Sequence, residues 1–261
     1  HSHETAEVFV VHSGTWAFLL GPNKEDGEVV LGPGDVISIP IHVFRGFKNV
    51  GEDTGFLYAV LGGDDPGHVT WAPYVFDDAK KYGLILVEDG SLVDTTRGET
   101  IPDGKRAMHA TTEEDVAQLR RLTAEEMSGC VVMHGDLTEN GESMSGANAI
   151  TETAIIGQAS PEENLGAGAM TWPHGFHLRY MTFEPGARSH TLVRHEEEVI
   201  FVHAGSLAVH LPDQDVDLGP GDTLTVPIGM KRSFSNPGDS VAETYVVRGG
   251  DSPSAAEVID D

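Results

Sequence analysis

The sequence is short of cysteine, of positive charge and of long apolar stretches, and each shortage removes a class of protein. A single cysteine, Cys130, in 261 residues leaves no internal disulfide and no multi-cysteine zinc or iron–sulfur site. Lysine and arginine number 16 against 42 aspartates and glutamates, a formal charge of −26. A surface this acidic repels phosphate backbones and anionic headgroups, so neither nucleic acid nor a membrane surface is an expected partner. The same excess is what salt adaptation produces, which concerns solubility and not activity. No apolar run approaches the roughly 18 residues that span a bilayer. No secretory leader is visible either, and the expectation is a cytoplasmic protein.

What the sequence does contain is turn punctuation. Glycine (31) and proline (14), with Asp and Asn, break it into short runs in which apolar and polar residues alternate. Examples are 7–11, 35–39, 207–211 and 222–226. Many short strands at near-regular spacing read as an all-β barrel or sandwich. One helix is expected over Thr112–Met127, opened by Thr112-Glu-Glu-Asp115 and carrying Val116, Leu119 and Leu122. A shorter one is expected over Pro73–Tyr82.

The strongest signal is a duplication. One segment reads Glu7, Gly14, Gly32-Pro-Gly-Asp35, Pro40, Arg45, Phe47, Asn49, Tyr58 and Gly62-Gly-Asp64. The other reads Glu198, Gly205, Gly219-Pro-Gly-Asp222, Pro227, Arg232, Phe234, Asn236, Tyr245 and Gly249-Gly-Asp251. Every step matches except a length difference of 4 between the second and third landmarks, at Pro22–Gly27 against Pro212–Asp215. A hairpin tip absorbs such an insertion because its ends stay paired.

These residues carry a family resemblance. His1-x-His3-x3-Glu7-x6-Gly14 resembles the first cupin motif, and Gly34-Asp35-x4-Pro40 onward resembles the second. The repeat then implies a bicupin: two tandem jelly-roll barrels, at 1–66 and 175–261, around a mixed connecting segment, 67–174, with one or two short helices. The second barrel has an expected strand, 176–184, whose counterpart would precede His1, so an upstream segment is expected. The family includes dioxygenases, isomerases, decarboxylases, lyases and storage proteins, so it speaks to fold more than to activity.

Strand parity gives the chemistry independently. His1, His3 and Glu7 share one face of a strand, with Phe9 and Val11 behind them. Two imidazoles and a carboxylate suit one divalent transition metal, with Fe(II) favoured and Mn, Ni or Zn open, and leave coordination positions free. The family pattern implies a further histidine five residues after Pro40. Arg45 stands there, and an arginine offers no lone pair to a metal. Completion by His42 is one alternative. Arg45 itself has two readings, an anchor for a substrate anion or an ion pair with Glu7. In the second repeat Leu192 and Arg194 replace the histidines while Glu198 and Arg232 remain, which reads as a metal-free barrel with an internal salt-bridge cluster or small anion pocket. His190 and His195 fall out of register. His203 and His210 read as ordinary surface or barrel residues, and His174 and His177 as possible caps of a pocket.

Resemblance and ligand set together imply a dioxygenase-like enzyme acting on a small organic acid or phenol, as a homodimer. A non-catalytic small-molecule-binding bicupin with decayed metal sites is the competing expectation. An isomerase or lyase using the metal as a Lewis acid is another.

Overall fold

The computed structural model describes residues 1–63, 65, 67–139, 142–143 and 149–259. The first half builds β1 (Glu7–Ser13), β2 (Trp16–Leu20), β3 (Gly27–Leu31), β4 (Val36–Ile39), β5 (Arg45–Asn49) and β6 (Phe56–Leu61). The connecting segment supplies α1 (Pro73–Lys81), a hairpin of β7 (Leu84–Leu86) and β8 (Leu92–Asp94), then α2 (Glu113–Ala117), α3 (Ala124–Ser128), β9 (Val131–Val132), α4 (His134–Glu139), β10 (Glu142–Ser143) and β11 (Ile150–Ile156). The second half follows as β12 (Phe176–Phe183), β13 (Thr191–Val193), β14 (Glu198–Ala204), β15 (Leu207–His210), β16 (Asp215–Leu218), β17 (Thr223–Val226), β18 (Ser233–Ser235), β19 (Ala242–Gly249) and β20 (Glu257–Ile259). Among the described residues no helix is long and apolar enough to cross a membrane.

The two halves are jelly-roll sandwiches of the same plan. In the first, the sheet β6-β1-β4-β9 faces β3-β2-β5; in the second, β10-β11-β12-β19-β14-β17 faces β16-β15-β18. Alternation along β1 divides its side chains between two cores. Phe9 and Val11 join Phe18, Leu20 and Ile37 inside the first barrel. Val8 and Val10 turn the other way and pack with Leu178, Phe201, Tyr245 and Val247 of the second half. The central strands of the larger sheets, such as β1, β4, β12 and β19, are therefore largely buried on both faces, and the barrels share a continuous apolar seam. Tyr58 stacks on Phe201 there with ring centroids 4.3 Å apart, and the Tyr245 hydroxyl donates to the Gly34 carbonyl at 2.6 Å.

The connecting segment differs from expectation in one respect. Four short helices form instead of one or two, and the helix expected over Thr112–Met127 is broken. Thr123 and Glu126 make a second capping box behind that of Thr112 and Asp115, so a new helix starts where the first was expected to continue. The segment also lends strands to both halves: β9 pairs with β4, and β11 with β12. Beside β6, where the second half has β12 against β19, no strand lies among the described residues.

Phe201 is fully buried in the seam. Truncation to alanine is expected to destabilise the whole protein by about 3–5 kcal/mol, read from the denaturant midpoint. A loss below about 1 kcal/mol would mean that the barrels do not depend on each other.

Candidate metal centre of the first barrel

Residues 1–3 lie between two backbone partners. Arg45 N–H donates to the His1 carbonyl at 2.9 Å and His42 N–H to the His3 carbonyl at 2.9 Å, while Ser2 and Thr70 exchange hydrogen bonds of 2.8 and 3.0 Å. Backbone alternation sends Ser2 one way and both histidines the other. The His1 and His3 Nε2 atoms are 3.0 Å apart, and His3 Nε2 is 3.8 Å from Glu7 Oε2. One ligand atom from each of the three residues falls within 4.8 Å of the others. Two nitrogens bonded to one ion at about 2.1 Å and near a right angle are separated by about 3 Å, so the pair fits a shared cation. Burial, reinforced by the positive Arg45, lowers His3 to about 4, which leaves its imidazole neutral at pH 7 with a lone pair to give.

Arg45 is 2 % exposed and sits against this group. Its Nε donates to Glu7 Oε2 at 2.9 Å and its Nη1 to the Val43 carbonyl at 3.3 Å. Nη2 is buried without a partner. The ion-pair geometry is thus present, and it leaves one guanidinium nitrogen, Nη2, unsatisfied. His42 is not brought to the group. It is exposed, with φ of 62°, in the turn after Pro40, and it contributes its backbone rather than its ring.

One wall of the site has no motif in the sequence. The Trp71 ring packs on His1 with centroids 5.2 Å apart. The duplication contains the signal in its continuation: Ser2–Thr70 occupies the place of Val193–Glu257 in the β13–β20 pair, so Trp71 against His1 corresponds to Val258 against Leu192. A groove of about 780 Å³ opens instead on the connecting segment between Thr70, Arg106, His109 and Gln118, and none of the three ligand residues lines it.

The second barrel closes the equivalent position with charge. Glu198 Oε2 accepts from Arg232 Nε at 3.1 Å and Nη2 at 2.8 Å, and Arg194, which stands where His3 does, pairs with Glu198 Oε1 at 3.1 Å. Arg248 and Glu163 extend the cluster: Glu163 pairs with Arg194 at 2.9 Å and with Arg248 at 3.2 Å, and Arg248 with Glu152 at 3.0 Å. No motif in the sequence points to Arg248, Glu163 or Glu152. A mismatch within the repeat marks one of them, since Arg248 occupies the place of Leu61. His190 and His195 are exposed. His174 and His177 are buried and hydrogen-bonded, to Ser38 at 2.8 Å and to the Asp251 carbonyl at 3.1 Å. His210 bonds Asp215 and Ser235, each at 2.8 Å.

Comparison with known proteins agrees with this duplication. The family model described as "Cupin domain" matches residues 1–61 and 179–248. Oxalate decarboxylase of Lactobacillus farciminis, solved with formate, superposes with a TM-score of 0.56 at 12 % identity, over 99 % of this chain and 74 % of that one. A Bacillus subtilis oxalate decarboxylase variant gives 0.54 at 15 % identity, over 99 % and 67 %. Another structure of the Bacillus subtilis enzyme concerns its Mn(II) centres, with a TM-score of 0.55 at 14 % identity, over 99 % and 67 %. No curated protein matches the chain.

The Glu163 carboxyl gives an acid-stability test. Burial alone would raise it, but Arg248 and Arg194 outweigh burial and lower it to about 2, against 4.5 for a free side chain. A depressed carboxylate stabilises fully above the unfolded value and loses that contribution as pH falls through the folded one. Glu163→Gln should therefore cost up to about 3 kcal/mol at pH 7, with the difference from wild type shrinking between pH 4.5 and 2. Parallel pH–stability curves for the two proteins would remove Glu163 from the cluster's energetics.

Proposed function

The chain belongs to the cupin family, and on that premise we propose that it is a metal-dependent enzyme whose first barrel acts on a small organic acid. The observation that carries this reading is the convergence of His1, His3 and Glu7 within 4.8 Å, beside a buried guanidinium with an unused donor. His1, His3 and Glu7 would hold one divalent ion. Two imidazoles and a carboxylate accept Fe(II) and Mn(II) alike. The Mn(II) centres of the Bacillus subtilis oxalate decarboxylase favour manganese over the iron expected from the sequence. Such an ion supplies Lewis-acid polarisation of a carboxylate or phenolate oxygen and, when redox-active, one-electron chemistry with dioxygen.

The protein's own part is to orient and to neutralise. Arg45 keeps a permanent positive charge, and its Nη2 N–H has no protein acceptor. A substrate carboxylate placed there removes the cost of that buried unsatisfied donor and gains a charge-assisted hydrogen bond. Glu7 is held by Arg45 Nε, which fixes the carboxylate's orientation before any ligand arrives. Trp71 and the apolar interior behind Phe9 and Val11 limit water around the charged groups, which strengthens each interaction. The family's decarboxylases and dioxygenases both fit these parts, and the reading extends to a homodimer paired through edge strands.

The 2.9 Å Arg45–Glu7 bond is the observation behind the other reading, a barrel that binds small anions without catalysis. Arg45→Lys separates the two, because lysine retains charge but loses the fork. With metal content unchanged, kcat/KM toward oxalate, other small carboxylic acids or phenolic acids should fall about a hundredfold. His3→Ala should remove the metal held in the first barrel and all turnover. Metal-replete wild type that turns over no member of such a panel, while still binding the acids, overturns the catalytic reading in favour of the binding one.

A further inference from the structure

His203 was expected to be ordinary, yet it occupies the centre of the seam. The duplication places it at the position of His12, five residues after Glu198 and Glu7 respectively, and the two equivalent rings meet across the barrels with centroids 5.3 Å apart. The connecting segment adds His134, whose ring centroid is 5.6 Å from that of His203. From β19 comes Glu243, whose Oε2 lies 2.8 Å from His134 Nε2. We propose that His134, His203 and Glu243 form a second metal site, specific for a first-row divalent transition metal such as Zn(II), that pins the connecting segment to the second barrel.

Four observations support it. One ligand atom from each of the three residues lies within 4.8 Å of the others. Two imidazoles and one carboxylate select Zn(II), Co(II) or Ni(II) over Mg(II) or Ca(II), which prefer all-oxygen shells. The carboxylate is already oriented, since the Tyr180 hydroxyl donates to Glu243 Oε2 at 2.7 Å, the kind of outer partner that metal-bound carboxylates have. And His203 Nδ1 is buried without a hydrogen-bond partner, a cost that a purely hydrogen-bonded cluster leaves uncompensated.

The backbone makes room for the cluster. A Cβ on Gly34 would lie 2.3 Å from the His134 ring, so only glycine admits the imidazole there, and Asp35 Oδ1 accepts from the His134 backbone N–H at 2.9 Å. The Gly-Asp turn that marks the repeat therefore also seats a ligand. The side chains remain reachable, with His134 29 % and Glu243 22 % exposed. The two halves of the seam have diverged here: Phe56, which packs on His12, holds the place that Glu243 holds in the second barrel.

The test uses full-length protein stripped with chelator and titrated with Co(II), followed by d–d absorbance, and with Zn(II) by calorimetry. His3→Ala, which disables the first-barrel group, is expected to keep one tight equivalent with the absorbance of nitrogen and oxygen ligation. Adding His203→Ala should remove it. Glu243→Gln in the His3→Ala background keeps an acceptor for Tyr180 and should weaken binding at least about tenfold, with the unfolding midpoint in chelator confirming that the variant is folded. Absence of tight binding in His3→Ala, or equal binding after His203→Ala and Glu243→Gln, overturns the seam site. Neither result bears on the first barrel, whose own test is the comparison of wild type with His3→Ala.

Discussion

A buried carboxylate facing a buried guanidinium is the constraint around which both barrels are built. Glu7 and Arg45 form this pair in the first, and Glu198 and Arg232 form it in the second. Neither charge can be left alone in an apolar interior, because the desolvation cost is recovered only when the partner and its hydrogen bonds are in place. The pair therefore fixes where β1 meets the start of β5 in the first barrel, and where β14 meets the residue before β18 in the second. What differs is the remaining company. The second barrel surrounds Glu198 with three arginines and balances them with Glu152 and Glu163. The first surrounds Glu7 with one arginine and two imidazoles, and burial keeps the His3 ring neutral.

That difference separates a structural cluster from a candidate site. In the second barrel both Glu198 oxygens face guanidinium groups, and Arg232 places two nitrogens on one of them. In the first, Glu7 receives a single donor from Arg45, and the rest of the fork is spent on one carbonyl or left open. An open donor is not peculiar to the first barrel, since Arg179 Nε and Nη1 are buried without partners in the second; what sets the first apart is that its open donor lies beside two imidazoles and a carboxylate that converge.

The architecture was legible because turn chemistry repeats. Gly-Pro-Gly-Asp, the proline five residues on and the closing Gly-Gly pair mark strand ends whose positions both halves share, so the duplicated jelly roll could be read without any contact being known. His1, His3 and Glu7 were legible for a related reason: parity along an extended segment is local. What escaped notice is non-local. Trp71 reaches His1, Arg248 reaches Glu152 and His134 reaches Glu243 only through the way the connecting segment and the two barrels pack. The helix over 112–127 failed for a local reason of its own, a second capping box at Thr123 that a periodicity argument passes over.

Repeat mismatches turn out to be more informative than repeat matches. Conserved landmarks such as Asp35 and Asp222 hold turns, each accepting a backbone N–H within its own loop at 2.8–2.9 Å. Positions at which the two copies disagree hold chemistry: His3 against Arg194, Leu61 against Arg248, Phe56 against Glu243. After a duplication the fold is specified twice, so one copy can place a charge in its interior while the other keeps the apolar residue that the strand would ordinarily carry there. His12 and His203 are the exception that the seam explains. They match because they face each other, and a residue that meets its own counterpart across an interface is constrained in both copies at once.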